Sequence, residues 1–445
     1  MRHIHALALT LLLGPIASCT SSNSSSPMDS GTAGTDPFAN ANGDSRSLIV
    51  LISDIHLGAD LSYAECKNNL ASLAKFLGEV RAAPKVKELV IAGDLLDEWF
   101  VPATTNTYGG KNQTDFVKRI AAANQEVMAA FNGIIKDGKI TLTYVPGNHD
   151  LTVTAANIDT ILPGIHQARD NGLQGLGVHS PAGLPEMAVE HGHRYNFYCA
   201  PDPLSNQDIA PGSIMPAGYF FTRIAALHVV QKCTTAIDTL PTVAPNKSGD
   251  ANQQLLYAYW LVWNSLLKQL PVNNRFDEKI ITTDIDGFEG TYAIKDLIPF
   301  QLADSGTIDV DLYKGIESSW LQRQTINKVG VEIPTRRAIL NAASFVETDS
   351  QAIMQYFTNP NSDKRIVVFG HSHDPKILAS TNHAGKKSIY ANTGTWIDSN
   401  PNRTMMNFVV VAPQNKADAT SWTHVRLYTY QSGTAVKMAS DSLRI

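Results

Sequence analysis

Val145-Pro146-Gly147-Asn148-His149-Asp150 follows the apolar run 140–144, and the reading of this stretch decides the fold. A short apolar run stopped by Pro-Gly reads as a buried strand that ends in a polar loop. Three adjacent side chains in that loop have three different chemistries. Asn148 offers a neutral oxygen ligand, His149 can hold or donate a proton, and Asp150 is a carboxylate able to orient that imidazole. What the loop does depends on which other groups the chain brings to it.

Upstream, the continuous apolar run Leu48-Ile49-Val50-Leu51-Ile52 reads as a strand covered on both faces. It ends in Ser53-Asp54-Ile55-His56-Leu57-Gly58. Over 63–80, Cys66, Leu70, Leu73, Phe76, Leu77 and Val80 recur at helical spacing. A second strand, 89–92, ends in Gly93-Asp94-Leu95-Leu96-Asp97-Glu98-Trp99. Phe116, Ile120, Ala123, Val127, Ala130, Phe131 and Ile134 then line one face of a second helix. Strand–helix–strand–helix–strand order implies a parallel sheet with right-handed crossovers. Ligands gather beyond the carboxyl ends of such strands, where all three polar clusters fall.

Downstream, a fourth cluster is Val189-Glu190-His191-Gly192-His193-Arg194. A fifth, Phe369-Gly370-His371-Ser372-His373-Asp374, closes the apolar run 366–369. Between them the segment 200–360 has a different texture and reads as a mainly helical insertion or cap, with helices over 219–237, 254–270 and 344–357. After Phe369 the chain turns β-rich, with strands expected over 388–396, 407–412 and 422–430 in a second sheet packed on the first. His166, His179, His228, His383 and His424 stand alone and read as surface or hydrogen-bonded histidines. Asp284-Ile285-Asp286-Gly287 lacks the further acids of a calcium loop and reads as a turn.

Taken in order, Asp54-Ile55-His56, Gly93-Asp94, Gly147-Asn148-His149-Asp150, His191 and Gly370-His371-Ser372-His373 resemble the calcineurin-like metallophosphoesterases. Asn392-Thr393-Gly394-Thr395-Trp396 looks like a segment found downstream of the last histidines in parts of that family. The resemblance implies an α/β fold of the metallophosphoesterase type, an α/β/β/α sandwich formed by 47–199 and 361–445. It also implies two divalent metal ions. Asp54, His56, Asp94 and His373 would hold one; Asp94, Asn148, His191 and His371 would hold the other, with Asp94 bridging. Oxygen and imidazole ligation without thiolate suits Mn, Fe or Zn. The implied reaction is phosphoester hydrolysis by a metal-bridging hydroxide, with His149 as proton donor and Asp150 orienting its ring. Asp97, Trp99, His193 and Arg194 adjoin the motifs and are candidates for substrate contact.

Two other readings remain beside the phosphomonoesterase or phosphodiesterase. Asp97, Trp99 and His191-Gly192 look somewhat like the UDP-diacylglucosamine pyrophosphatases, but that branch typically carries Arg where this chain has His149. A surface lipoprotein that binds metal without catalysis is the other.

The N-terminus carries an address. Arg2 and His3 precede the apolar run 4–16 and then Ala17-Ser18-Cys19, the parts of a secretory signal. Ile16-Ala17-Ser18-Cys19 resembles a bacterial lipobox, so residues 1–18 read as a lipoprotein signal peptide and Cys19 as a lipid anchor to a membrane. The protein is accordingly expected in the bacterial cell envelope, periplasmic or surface-facing. Residues 19–46 are rich in Ser, Thr, Gly and Asn and read as a disordered tether reaching roughly 30 Å. Of the remaining cysteines, Cys199 and Cys233 form a disulfide or all three, Cys66 included, are free thiols. At 445 residues, 43% apolar and net charge −5, with no basic block, the chain argues against a nucleic-acid partner. The partner expected is a phosphorylated small molecule or lipid headgroup, and no motif points to a protein partner.

Overall fold

The structure, a computed structural model, describes residues 36–39, 42–43, 46–418 and 420–445. The signal peptide, Cys19 and most of the tether lie outside the described residues. None of the described helices is long and apolar enough to cross a membrane. The chain divides into two compact units. One takes the described residues up to Asp97, with Val117–Gly192 and Phe345–Ile445; the other takes Glu98–Phe116 and His193–Ser344.

The first unit opens as the periodicity predicts. Strand β1 (Leu48–Ile52) is followed by helix α1 (Leu70–Ala82), β2 (Val86–Ala92), helices α2 (Gln113–Ala123) and α3 (Gln125–Asp137), and β3 (Thr141–Val145). Helix α4 (Ala155–Ile161) and the short strands β4 (His166–Gln167) and β5 (Met187–Val189) complete this half. β1, β2 and β3 pair in parallel, Val50 beside Leu89 and Leu89 beside Leu142.

Two helical expectations are corrected. The face from Phe116 to Ile134 belongs to two helices, not one. Asn124 (φ −121°) breaks the run, and its Nδ2 donates to Ile120 O (2.8 Å) and Gly58 O (2.9 Å). The first helix begins at Leu70 rather than near Tyr63. Asp398 accepts from the backbone N–H groups of Lys67, Asn68 and Asn69, placing a carboxylate on the positive end of the helix.

The second unit is built on helices α5 (Gly218–Gln231) and α6 (Ala251–Leu267), the hairpins β6 (Lys279–Ile285)–β7 (Phe288–Ala293) and β8 (Phe300–Gln301)–β9 (Ile308–Asp309), and helices α7 (Ile316–Ile326) and α8 (Thr335–Asn341). Asp250 caps α6, its side chain accepting from Gln253 N. Asp286 sits at the β6–β7 turn with φ 50°, where it accepts from Ser213 Oγ and Ile214 N. Cys66, Cys199 and Cys233 are free thiols, so the alternative of a Cys199–Cys233 bridge is set aside.

Back in the first unit, helix α9 (Phe345–Ala352) runs into one turn of π-helix, Ile353–Thr358. Then come β10 (Ile366–Phe369), β11 (Lys376–Thr381), β12 (Lys387–Asn392), β13 (Asn407–Ala412), β14 (Thr423–Gln431) and β15 (Thr434–Leu443). One sheet has the order β15-β14-β13-β1-β2-β3-β4 and the other β11-β12-β10-β5. The expectation that all late strands join a second sheet is corrected: β12 does, but β13 and β14 extend the first, β13 pairing antiparallel to β1. The reason is the middle position of β1. Its apolar residues leave no free edge, so a strand is needed on each side.

The sheets pack face to face through Ile49, Leu51, Val90, Val145, Val189, Val368, Ile389 and Val409, all buried. Because side chains alternate along a strand, Val50 and Ile52 turn to the opposite face, where α1 and α3 pack. The result is the α/β sandwich expected from the sequence.

The tether is also shorter than its composition suggests. Phe38 is buried, its ring 6.3 Å from Phe76 and 6.4 Å from Phe408. Asn42 Nδ2 donates to Pro413 O and Trp422 O, and Arg46 to Ala83 O. One large aromatic in a polar stretch is enough to dock it.

His179 proves satisfied, its Nε2 2.7 Å from Glu88 Oε1, which also accepts from Thr143 Oγ1 at 2.6 Å. Burial raises the Glu88 carboxyl, but His179 and Thr143 overcome this and hold it below its ordinary range. A depressed carboxyl contributes stability that is present above its unfolded pKa and lost as pH falls through its folded one. Glu88→Gln is therefore expected to lower the urea midpoint at pH 7 and to flatten its decline between pH 5 and the folded pKa. An unchanged acid limb would remove this pair from the pH response.

Candidate metal centre and proton donor

All seven sequence-predicted ligands lie in the first unit and converge beyond the ends of β1, β2, β3, β5 and β10. One group forms around Asp54 Oδ1, which stands 3.1 Å from His373 Nε2. His56 Nε2 is 3.3 Å from His373 Nε2 and 3.6 Å from Asp94 Oδ2. The second group shares that same Asp94 oxygen, 3.1 Å from His191 Nε2. His191 Nε2 lies 3.1 Å from Asn148 Oδ1, which is 2.9 Å from His371 Nδ1. Asp94 Oδ2 thus reaches both groups and lies nearer His56 and His191 than Asp54 Oδ1, which is 4.0 Å from each.

These separations fit a metal. Ligands about 2.0–2.2 Å from one ion stand about 2.8–3.6 Å apart at neighbouring corners of an octahedron or tetrahedron. The tautomers agree. His191 Nδ1 donates to Ala92 O at 2.9 Å, and His56 Nδ1 to Asp97 Oδ2 at 3.1 Å, leaving both Nε2 lone pairs turned inward. Acceptors then face acceptors, and a positive charge, proton or metal, has to lie between them. Burial lowers the His191 and His56 rings, yet the carboxylates beside them overcome it and hold the two at about 9 and about 10. The cluster holds positive charge strongly. His371 goes the other way: burial, reinforced by His191, pushes it down to about 3, so it is neutral and ready to ligate.

The backbone is bent to build this site. Asp54, His56, Asp94, His371 and His373 all have left-handed φ, between 50° and 67°. Such residues are uncommon, cost about 1 kcal/mol or more each, and gather at functional sites. Two glycines make room. A Cβ on Gly147 would lie 2.1 Å from Asp94 Oδ1 and 2.2 Å from Asp94 N; one on Gly93 (φ 90°) would lie 2.3 Å from His191 Nδ1. The Asn392–Thr395 segment fastens the loops from behind: Asn392 Nδ2 donates to Gly370 O, and Thr395 Oγ1 and Trp396 N donate to Asp54 O.

His149 is placed beside the bridge, its backbone N–H donating to Asp94 Oδ1 at 2.8 Å. Its orienting acid is not the expected Asp150. Asp97 Oδ1 lies 2.8 Å from His149 Nδ1. Asp150 instead accepts from the backbone N–H groups of Gly147, Leu95 and Leu96, tying the β3 loop to the β2 loop. Burial, with Asp94 nearby, pushes Asp150 up to about 6. Sequence adjacency misleads here, because successive loop residues point apart whereas strand-end loops of neighbouring strands meet.

Asp97 is therefore engaged by two imidazoles and buried. Trp99, His193 and Arg194 belong to the second unit, all buried; Arg194 donates there to Asn327 O at 2.7 Å. Glu65, passed over in the sequence, has its Oε2 3.4 Å from His56 Nδ1. Burial, with Asp97 adding to it, raises its carboxyl above the usual range.

Among curated proteins no match is found. Residues 47–210 match the calcineurin-like phosphoesterase family, so the chain carries a calcineurin-like phosphoesterase domain there, that of a metal-dependent phosphoester hydrolase. His371 and His373 lie beyond the matched stretch, and the fold returns them to it.

Proposed function

We propose that the calcineurin-like domain uses two divalent cations and His149 to hydrolyse a phosphomonoester or phosphodiester outside the cytoplasm. The observation that carries this reading is Asp94 Oδ2, which lies 3.6 Å from His56 Nε2 and 3.1 Å from His191 Nε2. Cations bound there would neutralise phosphoryl charge and supply a nucleophile from water at neutral pH. The chain's own part is to place the donor. With Nδ1 held by Asp97, the transferable proton of His149 sits on Nε2. Burial would push this ring down, but the Asp97 charge overcomes it and keeps it above its ordinary value, suited to protonating a leaving alkoxide. The lipobox-like Ile16-Ala17-Ser18-Cys19 supports a lipid-anchored enzyme of the bacterial envelope, acting on small phosphorylated molecules or lipid headgroups.

The test is turnover of p-nitrophenyl phosphate and bis-p-nitrophenyl phosphate by Mn²⁺-loaded protein. Two bound metals with no turnover of these or of natural phosphoesters would sink the enzyme reading. His149→Ala is expected to retain both metals, to slow alkyl phosphates about 10²–10⁴-fold, and to slow activated aryl phosphates far less. Equal losses on both substrates would remove His149 from the donor role.

A further inference from the structure

Behind the dinuclear cluster the same loops form a second constellation, which the hydrolytic reading leaves partly unused. His56, Glu65, Asp97 and His149, all buried, each turn one donor atom inward, and these atoms lie within 4.8 Å of one another. His56 Nδ1 is 3.1 Å from Asp97 Oδ2 and 3.4 Å from Glu65 Oε2; His149 Nδ1 is 2.8 Å from Asp97 Oδ1. Glu65 is the anomaly. Its residue is 8% exposed, and neither carboxylate oxygen has a hydrogen-bond partner. Its main chain is pinned, Asp398 N donating to Glu65 O at 2.8 Å. A buried carboxylate left without hydrogen bonds is costly, and a coordinated cation removes that cost.

We propose that Glu65, Asp97, His149 and His56 form a third cation site, selective for a zinc-like ion and distinct from the two catalytic positions. Two carboxylates and two imidazole nitrogens are a donor set that Zn²⁺ takes in tetrahedral geometry. Binding releases to solvent the Nδ1 protons that His56 and His149 share with Asp97. His56 then serves two ions through its two nitrogens. An ion in this site takes both the donor imidazole and the acid that orients it, so excess Zn²⁺ inhibits hydrolysis. That inhibition rests on the donor role of His149; the binding does not.

The experiment loads the full chain with Mn²⁺, dialyses it against excess Zn²⁺, and counts both metals by atomic emission. Zn²⁺ displaces Mn²⁺ from nitrogen and oxygen ligands, so the total decides: wild type is expected to hold three metals per chain. Glu65→Gln is expected to hold two metals per chain and to need at least tenfold more Zn²⁺ for half-inhibition of the turnover of glycerol 2-phosphate, an alkyl ester whose leaving group needs the donor. Two results overturn the site: a total of only two metals in wild type, or a third metal kept by Glu65→Gln. The wild-type count decides even if the variant does not fold. Failure to load two Mn²⁺ in the first step counts against the dinuclear reading instead.

Discussion

Asp94→Asn is expected to abolish tight binding of the metal pair while the metal-free chain still folds. Asparagine is the informative replacement because it tolerates the left-handed φ of 50° at this position. Its carbonyl oxygen can also still accept from His149 N, which Asp94 Oδ1 accepts at 2.8 Å. What disappears is the negative charge on the oxygen shared by His56 and His191. Metal at about a thousand times its Kd stabilises a fold by about 4 kcal/mol. Wild type should therefore gain several degrees in Tm on adding Mn²⁺, and the variant should gain almost nothing. Turnover should fall about a thousandfold or more, the equivalent of about 4 kcal/mol of lost transition-state stabilisation. If Asp94→Asn retains two tightly bound ions by metal analysis, Asp94 is not the bridge.

Arg223→Ala should give the largest loss of stability. Arg223 lies on α5, is fully buried, and has no carboxylate paired with it among the described residues. Backbone carbonyls satisfy its charge instead. Nε donates to Val101 O at 2.6 Å, and Nη2 to the carbonyls of Pro102, Ala103, Thr105 and Thr282. Nη1 donates to Thr107 Oγ1 and Tyr219 Oη. Truncation leaves these carbonyls buried without donors, at about 1–3 kcal/mol for each that water cannot reach. We expect a loss of about 3–5 kcal/mol by urea denaturation. Arg223→Lys should recover less than half of it, because three donors on a point charge cannot reproduce the planar fork. A shift below about 1 kcal/mol would show that water replaces the guanidinium.

Much of the site was legible because its residues sit where strands stop. A buried strand is a continuous apolar run, and a polar cluster closing it stands out in one dimension, as at Asp54, Asp94, Asn148 and His371. What escaped depends on contacts across the fold. Asp97 partners His149 across 52 residues, and Asp150, one residue away, does not. Glu65 lies in a loop with no periodicity to mark it. Strands β13 and β14 were legible as strands, β14 by its alternation, but the sheet they join is set by the need to cover both edges of β1. The helix break at Asn124 rests on a side chain reaching Gly58, 66 residues away. Phe38 shows the opposite error, since an average over a polar stretch hides the one side chain that docks it.

The left-handed ligands also set foldability and chemistry against each other. Glycine at position 54, 56, 94, 371 or 373 would relax the backbone by about 1 kcal/mol or more while deleting a ligand. A mutant library screened by survival of the fold alone would exert no pull to keep these five ligands. Engineering this protein for robustness therefore requires that metal retention be selected in the same round.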